Sequence, residues 1–253
     1  MPASEGLTTP SIGRPAPVAG RFHLVGLLLI LSGIAALGFF AQHQAAAPTA
    51  KAPTAQLAEH GQAIQIYLVA LVMDWALFYY CYAGIRRNGG TLASLSGGRW
   101  KSAKDVLVDI AIAILFIALW EGVAYAVHYL LDRFSPGTTA ATVASLLPKS
   151  LLEIALWILL CLTAGFCEEI AFRGYLQKQF HAFTGSIAIA VMLQGIVFGI
   201  THGYQGWKNV AVISALGILY GALAAWRRNL RVNIISHAWT DVWEGWLKFI
   251  LFP

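Results

Sequence analysis

The chain has 253 residues, of which 58% are hydrophobic and only 11% charged, and its mean hydropathy is +0.66. Soluble domains carry charge on roughly a quarter of their residues, so this composition excludes a water-exposed globular surface. The net charge of +5 makes no case for nucleic acid, because the basic residues cluster in loops between apolar runs, where they set membrane topology.

Residues 1–20, rich in Ala, Pro, Thr and Ser, read as a flexible tail that reaches to about residue 22. A helix needs about 20 apolar residues to cross a bilayer, and such stretches recur at 24–40, 64–85, 106–131, 151–176, 186–201, 210–226 and 232–252. The expectation is an all-α, polytopic membrane bundle of about seven transmembrane helices, the fifth short and the last broken by polar residues. Residues 23–147 would hold helices one to three with their loops, and 148–253 a catalytic core of helices four to seven. The first apolar run precedes Ala45-Ala46-Ala47, a small-residue site of the signal-peptide kind, but it is long for a signal sequence and suits an anchor.

Arg86, Arg87, Arg99, Lys101 and Lys104 load the loop after the second span, and Arg227, Arg228 and Arg231 the loop after the sixth. Both read as cytoplasmic, and the even number of spans between them makes the two assignments agree. The amino terminus is then inside, and the short-looped, Ala- and Gly-rich chain suggests a bacterial inner membrane. Cys81, Cys161 and Cys167 all lie within spans without metal-type spacing and read as packing residues.

Within the fourth apolar stretch stand Glu168 and Glu169, followed by Arg173. Charge inside a membrane is costly and marks a functional site by default. On a helix Glu169 and Arg173 share a face, while Glu168 is turned about 100° from Glu169. Glu169 can therefore pair with Arg173, leaving Glu168 as the candidate general base. Further along, Phe198 precedes His202 by four residues and His237 precedes Asp241 by four. A lone membrane histidine is usually an interhelical hydrogen-bonding residue; ionisable groups on three spans together point to a site.

Glu-Glu-x-x-x-Arg, Phe-x-x-x-His and His-x-x-x-Asp, in that order on successive apolar segments, resemble the CAAX protease and bacteriocin-processing (CPBP/ABI) family of intramembrane endopeptidases. The resemblance implies peptide hydrolysis by a glutamate-based mechanism: Glu168 and His202 activate a water, His237 and Asp241 stabilise the oxyanion, Glu169 and Arg173 are a supporting ion pair, and Phe198 packs the motif. The family member that cleaves prenylated proteins has Asn where Asp241 stands, and an ionised Asp cannot donate a hydrogen bond. Asp241 is thus either protonated or an orienter of His237.

No cofactor is required by this scheme. A second reading makes Glu168, His202, His237 and Asp241 ligands of Zn²⁺, although no His-Glu-x-x-His motif accompanies them. The expected partners are the lipid bilayer and a membrane-associated, prenylated or exported peptide substrate. A catalytically silent scaffold or bacteriocin-immunity protein is the rival from another class. The roles of Asp74, Glu121, Glu153 and Glu244 stay open. Depth sets a condition: if the fourth helix ended near Ile170, about 20 Å or more would separate Glu168 from His202. The catalytic reading needs that helix to run on to about Phe180, or the fifth helix to tilt.

Overall fold

The computed structural model describes residues 15–45, 55–135 and 147–251. The first fourteen residues of the expected tail, with Ala46 and Ala47 of the small-residue site, lie outside them.

Helix α1 spans Arg21–Ala45, α2 Ala55–Arg87, the short α3 Leu92–Ser96 and α4 Ala103–Phe134. Helix α5, Leu151–Glu168, passes without a break into a π-helical segment, Glu169–Leu176, and on into α6, Gln177–Thr184. Helix α7 covers Ile187–Thr201, a 3₁₀ turn Gly203–Gln205, and α8 Trp207–Arg227. The last run is α9, Arg231–Val242, a π turn Trp243–Leu247, and α10, Lys248–Leu251. Among the described residues, five helical stretches are long and apolar enough to cross a membrane: Arg21–Ala41, Gly61–Arg87, Ala103–Phe134, Leu151–Thr184 and Trp207–Arg227. The shorter apolar α7 and the α9–α10 run stand at the places of the fifth and seventh expected spans. Among the described residues there is no strand, and the protein is the all-helical integral membrane bundle that its composition requires.

Local chemistry sets the helix starts. Ser102 accepts from the Asp105 amide while Asp105 reaches back, and Ser150 and Glu153 form the same reciprocal box at the start of α5. Glu153 Oε2 takes the amides of Lys149 and Ser150 at 2.6 and 3.2 Å, which gives this buried carboxylate a capping task. Large apolar side chains such as Leu29, Leu37, Val72, Leu115, Leu151 and Trp226 stay exposed, as side chains facing hydrocarbon do.

The two basic loops meet at one end of the bundle. Buried Asp109 accepts from Trp100 Nε1 at 2.8 Å, Arg227 Nη2 at 2.7 Å and Arg231 Nε at 2.8 Å. At the other end Lys208, at the start of α8, pairs with Asp132, near the end of α4, at 2.6 Å. The amino-terminal segment is tied at the basic end too: Gln179 Oε1 accepts the Val18 and Ala19 amides, and its amide group donates to the Ala19 carbonyl.

Helices α7 and α8 cross closely through small residues, the usual solution where lipid gives no hydrophobic drive. A Cβ on Gly199 would stand 2.5 Å from the Val210 carbonyl oxygen and 2.7 Å from the Ser214 amide nitrogen. Gly199→Ala therefore has to push the two helix backbones apart. We expect it to cost about 1–3 kcal/mol, read as a lowered melting temperature in detergent; an unchanged melt would contradict this packing.

Candidate active site

The site is built on the π segment of the fourth span. A π turn inserts an extra residue per turn, and such turns recur at functional sites. All eight of its residues are buried. At its start Glu168 and Glu169 diverge as their sequence spacing requires.

Glu169 is fully buried and saturated. Its Oε1 accepts from Arg173 Nη1 at 2.8 Å and lies 2.8 Å from His237 Nδ1, and its Oε2 accepts from Asn233 Nδ2 at 3.0 Å. Arg173 also donates through Nη2 to the Gly217 carbonyl at 3.2 Å. Its guanidinium lies 4.4 Å from the Phe198 ring centre and 5.1 Å from that of Tyr220, within cation–π range. The expected Glu169–Arg173 pair is present, and Glu169 has a second duty: it fixes the orientation of His237.

That orientation decides what His237 presents. With Nδ1–H donated to Glu169, Nε2 points at two carboxylates, Glu168 Oε2 and Asp241 Oδ2, each 3.7 Å away. Tyr220 stacks on the ring at 5.2 Å between centres, and Phe198 meets it edge-on at 5.9 Å. The Tyr220 hydroxyl lies 3.3 Å from Thr240 Oγ1. Both approaches to His237 Nε2 are longer than a hydrogen bond.

His202 comes from the end of α7. Its Nδ1 donates to the Phe198 carbonyl, one turn back, at 2.8 Å, which leaves Nε2 as the ring's acceptor. The Phe198 ring separates the two imidazoles, 4.9 Å from His202 and 5.9 Å from His237. The depth condition is met by helix continuation: the fourth span runs past Phe180 to Thr184, and α7 then returns from Ile187 to Thr201. Glu168 and His202 are thus each about 20 Å from the α6–α7 turn. No hydrogen bond or ion pair joins them directly among the described residues, so cooperation on one substrate would need a bridging water.

Two contributors were hidden in the sequence, and a third, Asp74, was an acid of open role. Asn233 lies one turn before His237 and braces Glu169; its spacing was the available signal. Tyr204, in the 3₁₀ turn, has its ring centre 6.0 Å from that of His202 and lies within electrostatic reach of Glu168, Asp241 and Asp74. Asp74, on α2, is in turn within reach of Glu168, Asp241 and His237, and its neighbours Trp75 and Phe78 pack on Phe166 at 6.2 and 5.3 Å. Glu121 and Glu244 stand further off and share the Lys248 ammonium at 3.7 and 3.1 Å. Cys81, Cys161 and Cys167 are free and buried, in keeping with packing. Among the described residues no three His, Cys, Asp or Glu side chains converge closely enough to hold a metal ion.

A helical membrane protein with a buried, oriented imidazole between carboxylates is the class that these observations define. Residues 148–243 match the family of type II CAAX prenyl endopeptidases, Rce1-like, so this segment carries that family's pattern, and the resemblance in its ordered motifs is borne out. At the level of the family the match supports a CAAX protease-like intramembrane endopeptidase. No curated protein and no solved structure matches the chain.

Proposed function

We propose that the chain hydrolyses a peptide bond of a membrane-associated substrate, with Glu168 as general base. The observation that carries this reading is the oriented His237: Glu169 and Arg173 hold its Nδ1 side, while Nε2 faces Glu168 and Asp241 at 3.7 Å each. Glu168 would take one proton of a water as it attacks the scissile carbonyl, while the water's other O–H donates to Nε2 of His202 and orients it. His237, protonated at Nε2, would donate to the oxyanion that develops. Glu168, now protonated, would pass its proton to the leaving amine as the C–N bond breaks. Asp241 in this scheme steadies the imidazolium, which answers the objection that an ionised Asp is no donor.

The direct test is a search of membrane-associated peptides in cells carrying Glu168→Gln. Peptides that accumulate uncut would name the substrate; an unchanged peptide inventory, with the variant folded, would favour the silent scaffold. Metal independence is a separate expectation. The purified protein should keep at least half of its activity in excess strong chelator, and loss restored by Zn²⁺ alone would revive the two-histidine, two-carboxylate metal reading.

A further inference from the structure

Hydrolysis through a tetrahedral intermediate puts negative charge on the former carbonyl oxygen, and hydrogen-bond donors fixed in advance around that charge are usually the largest single contribution to rate. Of the described groups around Glu168, the imidazolium of His237 supplies one donor. Glu168 and Asp241, when ionised, can only accept, and His202 offers Nε2 as an acceptor because its Nδ1 is spent on the Phe198 carbonyl. Arg173 and Asn233 are engaged with Glu169 and with the carbonyls of Gly217 and Tyr220. One more donor lies within range.

Tyr204 follows His202 by two residues, in the 3₁₀ turn Gly203–Gln205. Its ring centre is 6.0 Å from that of His202, and its hydroxyl is within electrostatic reach of Glu168, Asp241 and Asp74. The first two are the acids that flank His237 Nε2, so phenol and imidazole converge on the same pair of carboxylates.

The hydroxyl is also prepared to donate. Gln205 Nε2 donates to its oxygen at 2.9 Å, and the Gln205 carbonyl in turn accepts from Asn209 Nδ2 at 3.1 Å. Among the described residues the phenol has no acceptor for its own proton, so its O–H is left to give. The turn itself is closed by the Gln205 amide on the His202 carbonyl at 2.9 Å and the Gly206 amide on the Gly203 carbonyl at 3.1 Å. Helix α1 packs hard against it: a Cβ on Gly38 would stand 3.1 Å from the Tyr204 amide nitrogen, and one on Gly203 would stand 2.6 Å from the Phe39 ring. A span without a motif of its own, outside the matched segment, thus fixes the turn that carries the phenol.

We infer that the Tyr204 hydroxyl is a second donor to the oxyanion, acting together with the protonated Nε2 of His237. The assignment rests on the proteolytic reading. The phenol keeps its proton throughout, its hydrogen bond tightening as charge develops and relaxing as the C–N bond breaks, so the only proton carried from water to the leaving amine is the one that Glu168 moves.

The test is Tyr204→Phe, assayed on a peptide that accumulates uncut in Glu168→Gln cells. The ring remains and the O–H is lost. We expect kcat to fall about 10²–10³-fold, KM to stay within about twofold, and the acidic limb of the pH–kcat profile to stay in place, because a neutral donor to the oxyanion does not set the ionisation of Glu168 in the substrate complex. A kcat within about threefold of the parent, well short of the loss of an oxyanion donor, overturns the assignment. So does a displaced acidic limb, which would make Tyr204 a positioning residue for Glu168. Should Tyr204→Phe fail to fold, Gln205→Leu leaves the hydroxyl in place but removes the amide that orients it; kcat about fivefold lower is expected, and the parental kcat overturns the assignment. Parental hydrolysis by Glu168→Gln would bring down the proteolytic reading itself, whereas an inactive Glu168→Gln beside a fully active Tyr204→Phe strikes the Tyr204 assignment alone.

Discussion

Glu168→Gln is expected to lower peptide hydrolysis by about 10²–10⁴-fold while leaving the melting temperature of the purified protein within a degree or two. The amide keeps the shape and most of the polar contacts of the carboxylate but cannot take a proton from water, and a positioned general base contributes about 10²–10⁴ in rate. Stability should hold because the one polar approach to Glu168 among the described ion pairs is that of His237 Nε2 at 3.7 Å, longer than a hydrogen bond, and the side chain keeps some exposure. Loss at kcat with KM nearly unchanged is the signature of a group that acts in the transition state. His202→Gln should behave alike with a smaller loss, since its ring is anchored through Nδ1 to the Phe198 carbonyl and offers only Nε2 to the water. A Glu168→Gln enzyme that turns over at the parent rate would remove this residue from the chemistry.

The fold was legible because hydrophobic length is the strongest signal a membrane chain carries. Each expected span has a helix in its place, and the Glu169–Arg173 pair followed from a four-residue spacing alone. Less legible was whatever depends on which helices lie side by side. The sequence puts Glu169 and His237 on different spans, and nothing in their spacing tells that the carboxylate bonded to Arg173 is also the one that turns the imidazole. Asp74 illustrates the same limit: it is one acid in an apolar run with no motif around it, and only the packing of α2 on α5 through Trp75, Phe78 and Phe166 brings it toward Glu168. Glu153 went the other way. Its role was open, yet a Ser three residues before it was the readable signature of a helix start. The π segment had no local signal at all, since its turn widens where Glu169 meets Asn233 and His237 of α9.

Glu169→Gln is expected to be destabilising as well as inactivating, and a paired substitution can separate the two effects. Removing the carboxylate charge leaves the fully buried Arg173 guanidinium without its counter-ion, held by the neutral amide oxygen, the Gly217 carbonyl and the faces of Phe172, Phe198 and Tyr220. Breaking a buried ion pair from one side costs about 3–5 kcal/mol, which should appear as a large fall in melting temperature. Replacing both members, Glu169→Leu with Arg173→Met, removes the orphaned charge, and exchanging a buried pair for apolar side chains of similar volume is often neutral or better. Much of the lost stability should return in the double variant. Activity should not, because His237 Nδ1 has lost the acceptor that held it at 2.8 Å and the imidazole can no longer keep Nε2 between Glu168 and Asp241. If the double variant recovered hydrolysis along with its melting temperature, Glu169 would be a structural partner of Arg173 alone, and the orientation of His237 would have to come from Tyr220 and Phe198.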